Sequence, residues 1–175
     1  MGTVIGNNSY AAEEGVNQLI TKFNELKYFT GLTVLSGLAH LPNLLEIDLP
    51  DAGNLKTIGQ GAHAWSYLPM ELLVFPEGVT TLQNHAISRS SCHLRSISLP
   101  STLSRIISYF LYQMPNIETV QIYAITPPTV DNATLSNVPT RVQFYVPDAA
   151  METYKSNSSW GAYASRIHKM SEYPD

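Results

Sequence analysis

Cysteine is nearly absent: Cys92 stands alone in 175 residues. No internal disulfide can form, so a disulfide-stapled secreted scaffold is excluded, although export itself is not. Charge is scarce as well. Asp, Glu, Lys and Arg make up 14% of the chain, against about 25% in an ordinary soluble domain. Ser, Thr and Asn take their place and keep a surface wet without charge. The ten Lys and Arg are scattered and the net charge is −4. No basic stripe exists to neutralise a phosphate backbone, which argues against nucleic acid as a partner. No run of about 18 apolar residues is present, so no membrane-spanning segment is expected. Met1-Gly2-Thr3 opens the chain without a basic, then apolar, leader; an exported form is expected to have lost its signal or to carry it outside this sequence.

The residue patterns of catalysis are missing too. His40, His63, His85, His93 and His168 form no HxxxH or HExxH unit, and a single thiol offers no pair of thiolates, so no metal site is expected. No Gly-x-Ser-x-Gly elbow exists to expose and activate a serine. Gly59-Gln60-Gly61 lacks the rest of a phosphate-binding fingerprint. The chain therefore reads as a non-enzyme without cofactor. Cys92 reads as a small core residue. Asn7-Asn8-Ser9, Asn132-Ala133-Thr134 and Asn157-Ser158-Ser159 match a glycosylation acceptor, a motif short enough to occur by chance.

What is present is a repeat. Leu44-Leu45-Glu46-Ile47-Asp48-Leu49-Pro50 is followed by Leu55 and Ile58. Met70-Glu71-Leu72-Leu73-Val74-Phe75-Pro76 is followed by Val79 and Leu82, and Leu94-Arg95-Ser96-Ile97-Ser98-Leu99-Pro100 by Leu103 and Ile106. A fourth copy, Ile117-Glu118-Thr119-Val120-Gln121-Ile122, has Tyr123 at the proline position. The copies start at 44, 70, 94 and 117, in steps of 26, 24 and 23; the long first step resolves into two extra residues between Pro50 and Leu55. Leu26-Lys27-Tyr28-Phe29, followed by Leu32 and Leu35, reads as a truncated first copy.

Ile47 and Leu49 alternate with Asp48, the period-2 pattern of a short strand with one buried face. Proline has no N–H to donate and ends the strand at one position in three copies. The second apolar pair returns the chain to the core after a turn at Glu77-Gly78. Residues 83–93 and 107–116 are expected to cross back as a short helix or irregular turn, with Ala86, Ile87, Phe110 and Leu111 inward. One copy cannot bury its apolar face alone, so the copies must stack. At about 4.8 Å per coil, five coils make a core roughly 24 Å long.

Such a rod has two ends to cover. Residues 9–22 are expected to form a helix with Ser9 as N-cap and Val16, Leu19, Ile20 and Phe23 on one apolar face. At the other end, Thr126-Pro127-Pro128-Thr129 interrupts the repeat, and residues 141–147 read as a final strand. Asp148 is expected to cap a helix through Lys155. Tyr154 and Trp160 are expected to pack on the last coil, with Tyr163 and Ile167 in the same apolar row. The expected organisation is one domain, 1–175: an N-terminal cap over 1–25, repeats over 26–125 and a C-terminal cap over 126–175.

Together these residues resemble the BspA-like, or type 5, leucine-rich repeats of Bacteroidetes surface proteins. The resemblance rests on Phe23-Asn24-Glu25-Leu26-Lys27-Tyr28-Phe29-Thr30-Gly31-Leu32 and on the strand-proline motifs at 50, 76 and 100. It also rests on the ending Tyr145-Val146-Pro147, Tyr154-Lys155, Trp160 and Tyr163-Ala164-Ser165-Arg166-Ile167. It implies an α/β repeat fold: a right-handed leucine-rich-repeat solenoid of short parallel strands with an N-terminal helical cap and a C-terminal strand-helix cap. It further implies export and binding to a host or bacterial surface protein, a glycan or a neighbouring cell, without catalytic residues. The chain departs from the family pattern where Ala-Phe is usual, carrying Ala62-His63, Ala86-Ile87 and Phe110-Leu111. Cys92 lies two residues before Leu94, where the family places its cysteine three before.

The candidate binding face follows from the strands. Residues flanking each buried pair point outward and stack from coil to coil: Glu46, Leu72, Ser96 and Thr119 in one column, Asp48, Val74, Ser98 and Gln121 in the other. Leu72 and Val74 are anomalous there: an apolar pair on a polar face is a candidate contact, the alternative being that a cap or neighbouring loop covers the two side chains. The expected function is a non-catalytic binding or adhesion module of an exported surface protein. The alternatives are a structural spacer within a longer protein, or an enzyme, which would require a deep pocket of convergent titratable groups. Open ends and edge strands also make self-association an expectation.

Overall fold

The structure, a computed structural model, describes residues 3–5, 21–23, 28–35, 43–47, 49, 54–59, 70–87, 93–131, 134–135 and 138–174. Among these, short strands line up in parallel walls. One wall contains, in order, β1 (Thr3–Ile5), β3 (Leu32–Leu35), β5 (Thr57–Ile58), β7 (Thr81–Leu82), β9 (Arg105–Ile106) and β11 (Thr129–Val130). The other contains β6 (Leu72–Val74), β8 (Ser96–Leu99), β10 (Thr119–Ile122), β12 (Gln143–Val146) and β13 (Ile167–Lys169). A separate parallel pair joins β2 (Lys22–Phe23) to β4 (Glu46–Ile47). Parallel neighbours need a crossover of a dozen residues or more, and here the crossovers from β6 to β8, β8 to β10 and β10 to β12 run through the opposite wall, at β7, β9 and β11. The result is an α/β repeat fold of parallel sheets with few helices.

The register follows the repeat. Leu73 faces Ile97, Ile97 faces Val120, Val120 faces Phe144 and Phe144 faces Ile167, a single file of buried side chains. Ile47, aligned with this file by sequence, is partly buried in the β2–β4 pair, against Phe23. A second file, Leu35, Ile58, Leu82 and Ile106, runs along the other wall. The two files meet in one continuous core.

That second wall differs from the sequence reading, in which Leu55–Ile58, Val79–Leu82 and Leu103–Ile106 only return the chain to the core. β5, β7 and β9 are each two residues long with one buried side chain, too short for an alternation to register. Hydroxyls reinforce this wall: Thr80 Oγ1 donates to Lys56 O at 3.2 Å, Ser104 Oγ to Thr80 O at 3.1 Å, and Thr129 Oγ1 to Ser104 O at 3.2 Å.

The strand ends follow the proline logic. Pro76 and Pro100 stop the ladder, whereas Tyr123 keeps its N–H and donates to Leu99 O at 3.0 Å, one further rung. Beyond Pro76 the chain turns at Gly78, whose φ of 99° is costly for any residue with a Cβ. The Gly78 N–H donates to Thr102 Oγ1, one coil on. Residues 107–116 contain turns and no helix. Ala86, Ile87, Phe110 and Leu111 point inward as expected. His85, Tyr109, Leu111 and Gln113 take left-handed φ of 56–63° in these turns, and His85 stacks on Tyr109 with ring centres 4.4 Å apart.

At the N-terminal side the reading needs two corrections. The strand equivalent to Glu46–Ile47 is Lys22–Phe23, 24 residues earlier, so the copy preceding residue 44 is not truncated and does not start at Leu26. Phe23 therefore lies on a strand rather than on the apolar face of a helix. Ser9, Val16, Leu19 and Ile20 lie outside the described residues, as do Asp48, Pro50 and Cys92. Tyr28 and Phe29 are exposed.

Strand pairing runs on past residue 125 through β11, β12 and β13. Between β12 and β13 comes a 3-10 turn at Asp148–Ala150, then α1 (Met151–Ser156) and a second 3-10 turn at Gly161–Arg166. Asp148 caps no helix. Its carboxylate accepts the N–H and the hydroxyl of Ser171 at 3.1 and 2.7 Å. Ile167 opens a strand and is buried there. Tyr154 and Trp160 are fully buried, each with its polar atom satisfied: Tyr154 Oη donates to Ala124 O and Trp160 Nε1 to Pro128 O, both at 2.9 Å. Burial pushes the Tyr154 phenol up, so it stays neutral. Both rings pack edge-on in one cluster with Phe144.

Candidate functional site

The outer face of the β6–β13 wall is the place the sequence points to, because strand alternation sends every second side chain away from the core. Six of the eight candidate residues come together on it in register. Leu72 faces Ser96 and Ser96 faces Thr119; Val74 faces Ser98 and Ser98 faces Gln121. Glu46 does not join this ladder. It sits in β4, where its carboxylate takes Lys22 Nζ at 2.6 Å. Asp48 lies outside the described residues.

Leu72 and Val74 are about half exposed, at 52% and 53%. They are the outer side chains of β6, while the core is reached through Leu73 between them. The rest of the face is polar. Thr119 Oγ1 donates to Ser96 Oγ at 2.8 Å, and Ser98 is buried. Arg95 and Glu118 form an exposed ion pair at 2.8 Å beside the first column, a contact worth at most about 1 kcal/mol in water.

Both columns extend further than the sequence reading took them. Gln143 follows Thr119, and Tyr145 and then His168 follow Gln121. His168 Nε2 lies 2.8 Å from Gln143 Oε1, and the His168 ring tilts against Tyr145 at 5.4 Å. The strand 141–147 is legible in the sequence, so adding Gln143 and Tyr145 needed only one more step of the repeat. His168 lies on a strand the sequence does not announce. Tyr173 carries no periodic signal at all, yet its ring stands edge-on to Tyr145 with centres 5.0 Å apart, and its Oη reaches within 3.3 Å of Ser96 Oγ.

The face holds hydroxyls, amides, an aromatic group and two exposed aliphatic side chains, which suits recognition by contact. Among the described residues, no three His, Cys, Asp or Glu gather as metal ligands. A groove of about 260 Å³ runs along Ile106 and Val130 on the other wall, away from this face.

No family model and no curated protein matches the chain. Among solved structures it is similar to the crystal structure of the pneumococcal vaccine antigen PcpA, with a TM-score of 0.55 and 19% identity. The likeness is one of fold. It covers 80% of this chain and 32% of PcpA, so the chain spans about a third of that structure. PcpA thus supports the repeat architecture described above and assigns no residue of the face a role. Among the described residues, no helix is long and apolar enough to cross a membrane.

Proposed function

We propose that the chain is a non-catalytic binding module of an exported surface protein, a BspA-like leucine-rich-repeat solenoid that recognises a surface protein or glycan through the outer face of the β6–β13 wall. In this reading the coils wind right-handed, the sense that parallel crossovers overwhelmingly take. The segment around α1 and Trp160 serves as the C-terminal cap. The fold likeness to a bacterial vaccine antigen supports surface display.

One observation carries the proposal: Leu72 and Val74 stand exposed, in register with a row of hydroxyl and amide side chains on a sheet whose opposite face is the core. Exposed aliphatic residues on a strand are an aggregation hazard that sequences usually avoid, and a partner that covers them gives the pair a use. Replacing both by serine (Leu72→Ser with Val74→Ser) is expected to leave the far-ultraviolet dichroism and melting temperature near those of the parent. The same change should abolish capture on a combined glycan and extracellular-matrix panel. Unchanged capture would move the site elsewhere. A spacer role is the rival reading, favoured by the partial covering of the face by Tyr173; it predicts no capture by either protein.

A further inference from the structure

The outer face carries a seat that is already filled. After β13 the chain makes a 3-10 turn at Met170–Glu172 and folds back over β12 and β10 until Tyr173 meets Ser96 of β8. That contact spans 77 residues, whereas the coil-to-coil bonds around it span 23 to 25. The floor of the seat is the hydroxyl pair Ser96–Thr119, and its wall is the Tyr145 ring. The contact is long: 3.3 Å between Oη and Oγ exceeds the usual 2.5–3.0 Å of a hydroxyl pair. The tail is tethered behind the seat by Ser171 on Asp148, and by Glu172, whose carboxylate accepts the Lys169 N–H at 3.2 Å. One strand beyond Ser96 lies Leu72, exposed.

We propose that this seat is a tyrosine-binding subsite, occupied here by the chain's own Tyr173. Its external ligand is an extended protein segment bearing a tyrosine beside an aliphatic residue. The phenol of such a segment would replace Tyr173 against Tyr145 and the Ser96–Thr119 pair, while its aliphatic neighbour covers Leu72 and Val74. The seat's present occupant identifies the chemistry, and its continuity with the apolar pair identifies what comes next along the ligand. Tyr173 then acts as an internal competitor. This rests on the reading of the outer face as the binding surface, but the test below needs neither Leu72 nor Val74, so either idea can fail alone.

The full chain carrying Tyr173→Ala is titrated with N-acetyl-tyrosinamide and with N-acetyl-phenylalaninamide, following backbone amide shifts. Saturable shifts at Ser96, Thr119 and Tyr145 are expected with the tyrosine amide. Binding of the phenylalanine amide should be about threefold to tenfold weaker, because it leaves the hydroxyl pair unmatched. The parent chain should take up neither at that seat. Adding Ser96→Ala to the Tyr173→Ala chain should bring the two amides to equal affinity, and dichroism checks that each variant is folded. Equal uptake by parent and variant, or no uptake by a folded variant at millimolar amide, overturns the proposal. So does saturation of the vacated seat by methyl β-galactoside in place of the tyrosine amide, which would make it a sugar site.

Discussion

Asp148 and Glu77 use the same device in two different coils. Each follows a strand-ending proline, and each carboxylate accepts both the N–H and the hydroxyl of a serine 23 or 24 residues on: Ser171 for Asp148, Ser101 for Glu77. The Ser101 N–H is the largest influence holding Glu77 below its ordinary value, and the Ser171 hydroxyl is the largest for Asp148. A depressed folded pKa means that the unfolded chain takes up the proton first as acid is added. The stabilisation is therefore complete above the unfolded value, 3.8 for Asp148, and is lost as pH falls through the lower folded value. Asp148→Asn is expected to flatten the acid limb of any signal that reports on the tail, with the Tyr173 ring resonances as the readout. Parent and variant should converge once the pH has fallen below the depressed folded value. Both carboxylates are largely solvent-exposed, so the change in global stability should be small.

At the scale of the element, each coil is a pair of short strands whose lengths are set by single residues. Proline removes a donor after β6 and β8, and Tyr123 restores one after β10. Tyr123→Pro should delete the bond to Leu99 O and destabilise the chain by about 1 kcal/mol, read as a shift in denaturation midpoint without loss of the β10 ladder. This arrangement was legible in part. The apolar-x-x-apolar-x-apolar pattern reports the wall of β6, β8 and β10 because three or four alternating residues make a period. On the opposite wall β5, β7 and β9 offer a single buried residue each, Ile58, Leu82 or Ile106, which the repeat reveals as an apolar position but no alternation marks as a strand. Lys22–Phe23 escaped for a similar reason: two strand residues lie within a stretch whose apolar spacing suits a helix. On the face, Leu72, Val74, Ser96, Ser98, Thr119 and Gln121 were legible because register repeats. Tyr173 was not, since its seat depends on a fold-back that follows no repeat.

Across the whole molecule, stability is distributed between neighbours, and the Trp160 cluster packs against Phe144 of β12. Trp160→Ala would leave a large void beside Phe144 and Tyr154 and strand the Pro128 carbonyl; a loss of about 3–5 kcal/mol is expected. Hydrogen exchange should show that loss first in β12 and β13 and last in β8, because each coil is held mainly by the next. The long reach of Tyr173 has a mechanical corollary. A pull on the chain beyond Tyr173 would load its contact with Ser96 before any strand gave way, and only after its release would β13 and then β12 unzip in turn. Tension on the chain would thus bare the face while the stack beneath it was still whole.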